Sequence, residues 1–168
     1  MADKQDTAVL EAAANEPRRL KTGIVEGLIG FRFRRIQNEM GRRFKQRISR
    51  DEINPGMFSA LALIDANPGL SQAELAGEIG MDRATIVALV DALEKNGWAR
   101  RSRDKVDRRR YSLGVTAAGR KELTRLNALA LENESVVREA IGPDGLAELQ
   151  ALLDRIDAAL AREAPRPD

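Results

Sequence analysis

Apolar residues return along this chain at a helical rhythm that breaks only once, and the break separates its parts. Ile86, Leu89, Val90 and Leu93 fall at i, i+3, i+4 and i+7, the spacing that lines one face of a helix. Before them, Leu75, Ala76 and Ile79 form a shorter stripe, and Met57, Phe58, Leu61 and Ile64 form another. Leu20, Ile24, Leu28 and Phe31, continued by Phe33, Ile36, Met40, Phe44 and Ile48, predict a long helix over about 18–47. Near the other end, Leu123, Leu126, Ala130 and Val137 keep a similar rhythm, with Asn133 interrupting. Leu146, Leu149, Leu153, Ile156 and Leu160 then repeat at alternating steps of three and four, as a coiled-coil seam does. The period fails over 96–120, where two short extended runs around a charged tip predict a hairpin.

Punctuation between the stripes agrees with this division. Asn54-Pro55 reads as an N-cap with proline at the first helical position, and Asn67-Pro68-Gly69 as a turn. Ser71 with Glu74 forms a capping box, Gly80 suits a left-handed cap, and Asp82 is an N-cap for the next helix. Asn96-Gly97 stops that helix, Thr116 caps one running to about 140, and Gly142-Pro143 breaks it. Two helices joined by a three- or four-residue turn and followed directly by a hairpin describe a winged helix–turn–helix. The expected fold class is therefore mainly α with a small β wing. A winged DNA-binding core at 51–116 is flanked by a helical dimerisation region at 18–50 and 117–163, with flexible ends at 1–17 and 164–168. A small winged domain does not need such long terminal helices for its own core. A seam packed within one chain is the alternative to dimerisation.

Charge changes the picture more than length does. The 168 residues sum to only +2, but residues 98–110 carry Arg100, Arg101, Arg103, Lys105, Arg108, Arg109 and Arg110 against Asp104 and Asp107. A hairpin held only by its own pairing gains nothing from such self-repulsion, whereas one that meets a polyanion releases counterions. Residues 31–50 sum to +7, residues 51–97 to −6 and residues 121–168 to −4. Such asymmetry points to nucleic acid, with the attraction concentrated in the wing and the first helix. Cysteine and histidine are both absent. That excludes disulfides and thiol sensing, argues against zinc, haem and copper sites, and removes the nucleophile–base pairs built on those residues. No phosphate-cradling glycine loop is present, so an enzyme is not expected and no cofactor is called for. With no apolar run long enough to cross a bilayer and no signal-peptide core at the start, a cytoplasmic, soluble protein is expected.

Residues 82–93 (DRATIVALVDAL), then Glu94-Lys95-Asn96-Gly97-Trp98, Asp104 to Arg109, and Val115-Thr116-Ala117-Ala118-Gly119-Arg120 together resemble the MarR family of bacterial transcriptional regulators. The resemblance spans roughly 30–125 and needs no gap from Gly97 to Gly119. It implies that the helix from Asp82 reads the major groove and that Arg109 enters the minor groove with Asp107 bracing the wing tip. Arg103 and Lys105 stand where relatives often have prolines, and Val87 and Ala88 where they often have polar or basic residues. Trp98 replaces the usual aliphatic residue and reads as ordinary packing at the wing's root.

On this basis Ser71 and Gln72 are expected to touch phosphates, and Arg83, Ala84, Thr85, Val87 and Ala88 to face base edges. Arg83 suits guanine, and the small apolar groups suit thymine methyls. Arg103, Lys105, Asp107, Arg108 and Arg109 complete the expected double-stranded DNA interface. Dimerisation through the terminal helices sets two reading helices about one DNA turn apart, so a homodimer on a pseudo-palindromic operator, more readily a repressor, is expected. The resemblance further implies an effector pocket between the dimer helices and the winged domain. The family commonly answers to aromatic acids. The arginine-rich run from Arg32 to Arg50 admits three readings: solvated surface, DNA-backbone contact, or a dock for an anionic effector such as an aromatic acid or its coenzyme A thioester. For the last, Arg35, Arg42, Arg43, Met57, Phe58 and Leu61 are the candidate residues. A constitutive or architectural DNA-binding protein and a polybasic membrane-surface protein are the competing classes, the latter opposed by phenylalanines that the dimer core needs.

Overall fold

The computed structural model describes residues 20–48, 53–103 and 111–163. Helices α1 (Ile29–Arg47), α2 (Pro55–Ala66), α3 (Gln72–Ile79) and α4 (Arg83–Lys95) precede the antiparallel strands β1 (Ala99–Arg103) and β2 (Tyr111–Val115). A last helical stretch, α5 (Ala117–Glu163), follows. The chain divides into two compact units, Met1–Gln37 and Asn38–Asp168.

In the first unit, the expected helix over 18–47 starts late. A single 3-10 turn at Gly23–Val25 comes first, and α1 begins only at Ile29. Gly23 sits at φ 57°, a left-handed conformation that a continuous helix does not contain, and Gly27 and Gly30 further weaken helix propagation. The apolar spacing of Leu20, Ile24 and Leu28 is genuine, but their side chains are 79%, 96% and 55% exposed. Spacing alone therefore misled, because it does not register how glycine lowers helix stability.

The second unit holds the core. Met57, Leu61 and Ile64 of α2, Leu75 of α3, and Ile86, Val90 and Leu93 of α4 pack with Trp98, Leu113 and Leu126, all buried. Every residue of the α4 stripe expected to face inward does so. Local capping follows the sequence. Asn54 accepts the Met57 N–H, Ser71 and Glu74 complete their box, and Gly80 adopts φ 72°. β1 pairs with β2 from Ala99↔Val115 to Arg103↔Tyr111, and a bridge between Ser71 and Ser112 attaches the start of α3 to the wing.

Gly119 locks the wing's root to α5. A Cβ at this position would lie 2.0 Å from the carbonyl oxygen of Trp98. Glycine is thus required by close approach rather than by its dihedral angles. The adjacent Thr116 hydroxyl donates to Gly97 O at 2.6 Å and accepts the Gly119 N–H at 2.9 Å, which caps the helix. Further along, Gly142 at φ 67°, ψ 176° interrupts α5 before Pro143, so two helices meet at the expected break. Asn133, the polar interruption in the apolar stripe, is buried. Its amide donates to Met40 O at 3.1 Å, and its oxygen accepts from Arg47 at 3.4 Å.

Candidate nucleic-acid interface

Helices α3 and α4 are joined by Gly80, Met81 and Asp82, the tight turn of a helix–turn–helix. Burial of Ile86, Leu89, Val90 and Leu93 turns the opposite face of α4 outward. Arg83, Ala84, Thr85, Val87 and Ala88, all expected to meet bases, are all exposed on it. Asp82 fixes the start of this face. Its carboxylate accepts the Thr85 N–H at 2.9 Å and the Thr85 hydroxyl at 2.6 Å. These bonds, the hydroxyl's first, hold the Asp82 carboxyl below the usual carboxylate range.

Ser71 does not offer the donor expected of it. Its hydroxyl and its backbone N–H both donate to Glu74, at 2.6 and 2.8 Å, so the capping box leaves no Ser71 proton for a phosphate. The side-chain nitrogen of Gln72 is shut away from solvent without a hydrogen-bond partner among the described residues. It must change rotamer before it can reach DNA. In the wing, Arg103 is exposed at the end of β1. Lys105, Asp107, Arg108 and Arg109 lie outside the described residues.

Arg101 departs from its expected role as one more wing cation. Its side chain turns back onto α4, where it pairs with Glu94 and, at 2.6 Å, with Asp91, and it reaches Val87 O at 3.5 Å. Its backbone N–H donates to Glu94 at 2.6 Å. Only about a fifth of this side chain and a third of that of Glu94 are exposed, so the pair with Glu94 is better shielded than surface ion pairs usually are, whereas Asp91 is more than half exposed. Arg101 therefore fixes the angle between the wing strand and the exposed helix, and it offsets the acidic charge of that helix. Strand alternation carried the clue, because Arg101 shares a β1 face with the buried Ala99.

The six expected effector residues separate. Met57 and Leu61 are 1% and 0% exposed, inside the winged core, and so line no open pocket. An amphipathic stripe cannot by itself distinguish a core residue from a ligand-facing one. Phe58 remains half-buried, its ring 6.1 Å from that of Phe44. Arg42 is exposed but grips Glu39 at 2.6 Å, which keeps the carboxyl of Glu39 low. Arg43 is partly exposed on the same helix. Arg35 lies in the N-terminal unit, its guanidinium 5.9 Å from the centre of the Phe31 ring. No helix among the described residues is long and apolar enough to cross a membrane, and they hold no metal-binding cluster of acidic residues.

A helix–turn–helix with an exposed second helix, joined to a two-stranded basic wing, is the winged DNA-binding architecture of a transcriptional regulator. Comparison with known proteins narrows the class. The MarR family model matches residues 53–111. A Thauera aromatica protein named for transcriptional regulation of the hcr operon is 34% identical over 135 residues, covering 80% of this chain and 81% of the relative. The transcriptional repressor CouR, bound to a 23-mer DNA duplex, superposes at a TM-score of 0.73 with 35% identity, over 83% of this chain and 99% of that one. CouR bound to p-coumaroyl-CoA gives a TM-score of 0.71 at 34% identity, over 87% of this chain and all of the other. The chain belongs to the MarR family and is a DNA-binding transcriptional regulator.

Proposed function

We propose that this regulator is a homodimeric repressor that grips a pseudo-palindromic operator and is released by a small organic anion, an aromatic acid or its coenzyme A thioester. The observation that carries the reading is the outward face of α4. Five residues expected at base edges stand exposed together, braced by Asp82 at one end and Arg101 at the other. Dimerisation through the regions 18–50 and 117–163 is supported by their large exposed side chains, among them Ile36, Leu153 and Leu160. A two-fold dimer sets two such helices about one DNA turn apart.

For the effector, similarity to CouR bound to p-coumaroyl-CoA supports an aromatic acyl thioester. Such a ligand combines a flat apolar ring with phosphates suited to cations such as Arg42 and Arg43. Because Arg42 is already paired with Glu39, the incoming phosphate must displace that carboxylate. An effector that weakens DNA must itself be weakened by DNA to the same factor. Titrating aromatic acids and their thioesters into a complex with labelled operator tests the reading. Release by the thioester is expected, together with loss of effector affinity in Arg42→Gln/Arg43→Gln. Release only by uncharged compounds overturns the anion. The alternative, a constitutive or architectural DNA-binding protein with no effector, predicts no release by any ligand.

A further inference from the structure

The exposed face of α4 is short of hydrogen-bonding groups. Ala84, Val87 and Ala88 occupy it, all exposed, with Val87 at 38%. Thr85 adds no donor, because its hydroxyl proton goes to Asp82 Oδ2 at 2.6 Å and its N–H to Oδ1 at 2.9 Å. Its methyl group and oxygen lone pairs are what remain. Asp91, the next residue along the stripe, is held by Arg101 at 2.6 Å. Across 83–90, Arg83 is left as the one side chain with a donor to offer.

Such a face cannot distinguish bases mainly by hydrogen bonds. In the major groove, the C5-methyl of thymine is the apolar group on a base edge, and small aliphatic side chains are its natural partners. We infer that α4 recognises its operator chiefly through thymine methyl groups packed against Ala84, Val87 and Ala88, with Arg83 making the single polar base contact. The inference rests on the reading of α4 as the helix that enters the groove. It assigns Val87 a specificity-determining role, since it is the largest apolar side chain on the exposed face and is itself exposed.

Selection from a randomised duplex library with the full-length protein gives the operator. Each thymine is then replaced singly by deoxyuridine, which lacks only the methyl, and affinity is measured by fluorescence anisotropy. Roughly fourfold weakening per contacted methyl is expected at two or three positions in each half-site, the scale of burying one methyl group. The penalty at one of them should shrink in Val87→Ala, a change at an exposed position that leaves the core intact. Deoxyuridine tolerated at every thymine overturns the inference while leaving α4 as the reading helix. A penalty that persists unchanged in Val87→Ala overturns it too, because the methyl then acts through DNA shape. A selection that returns no consensus overturns the reading and the inference together.

Discussion

The winged segment and the terminal helices solve the problem of their apolar stripes in opposite ways. Ile86, Val90 and Leu93 of α4 and Leu75 of α3 are at most 1% exposed, closed against one another within a single chain. Leu153 and Leu160, on the seam near the other end of the chain, stand 38% and 63% exposed, although the spacing of that seam is as regular. The same helical period therefore encodes two different things. One stripe finds its partner in the chain that carries it. The other finds no such partner among the described residues, and exposed apolar side chains gathered into a patch mark an interaction site. In the function proposed above, the reading segment closes on itself and its affinity for DNA depends on a second event, assembly.

The strongest way to break this contrast is to remove the open stripe. Truncation before Gly142 deletes the whole seam from Leu146 to Leu160 while sparing every core residue named for the winged segment. The truncated chain is expected to be monomeric by analytical ultracentrifugation and to lose tight operator binding, since two linked half-site contacts become one. Core packing of the winged segment should survive, visible as retained near-ultraviolet dichroism from the buried Trp98. A truncated protein that still sediments as a dimer shows the interface to lie elsewhere.

Within the closed region, glycines sharpen the contrast between contact and freedom. Gly119→Ala drives a methyl into the Trp98 carbonyl and should destabilise the fold by about 3 kcal/mol, since overpacking against backbone cannot relax by a rotamer change. Gly77→Ala lies on α3 with nothing within 4 Å of the added methyl. It should stabilise by about 0.5–1 kcal/mol through helix propensity alone. Chemical denaturation of the two variants checks both signs.

Those two glycines also show how far the sequence could be read. The capping box at Ser71, the caps at Asn54 and Asp82, the buried stripe of α4 and the break at Gly142 were all legible, because each depends on residues within one turn of each other. The lock at Gly119 was visible only as part of a motif, since it depends on Trp98, which a hairpin brings back from twenty-one positions away. Arg101 was misjudged for the same reason. It was counted only as one of seven wing cations, and only folding shows that Asp91 and Glu94 lie within its reach. Met57 and Leu61 failed differently, since a core face and a pocket face of one helix have the same period.

Smaller effects should separate orientation from charge in the wing. Arg101→Met keeps much of the side chain's apolar volume but releases β1 from α4, and operator affinity is expected to fall by about 1–2 kcal/mol. Arg109→Ala, the minor-groove position implied by family resemblance, should cost roughly 1–3 kcal/mol. The two differ in salt dependence. If Arg101 orients and Arg109 touches DNA, only Arg109→Ala lowers the slope of log affinity against log salt. Equal slopes for the two variants would place Arg101 on the DNA.

The smallest expected effect compares two exposed carboxylates, one from each region. Asp82 caps α4 through Thr85, and Glu39 pairs with Arg42 on α1. Both carboxyls are held below their ordinary values, Asp82 by the Thr85 hydroxyl and N–H, Glu39 by the Arg42 guanidinium. A folded-state pKa below the unfolded one contributes stability that is present above the unfolded value of about 4 and fades as pH falls through the folded value. Neither group should therefore influence stability between pH 5 and 8, and both should contribute to the acid limb below about pH 4. Their consequences differ because the cap starts a helix that packs into the core, whereas the α1 pair joins neighbouring turns of an exposed surface. Asp82→Asn is expected to flatten the acid limb of the thermal transition followed at 222 nm. Glu39→Gln should leave it nearly unchanged. Equal flattening by both variants would mean that the α1 pair is as deeply tied to the cooperative unit as the cap, and the contrast between a closed and an open region would fail at this end of the molecule.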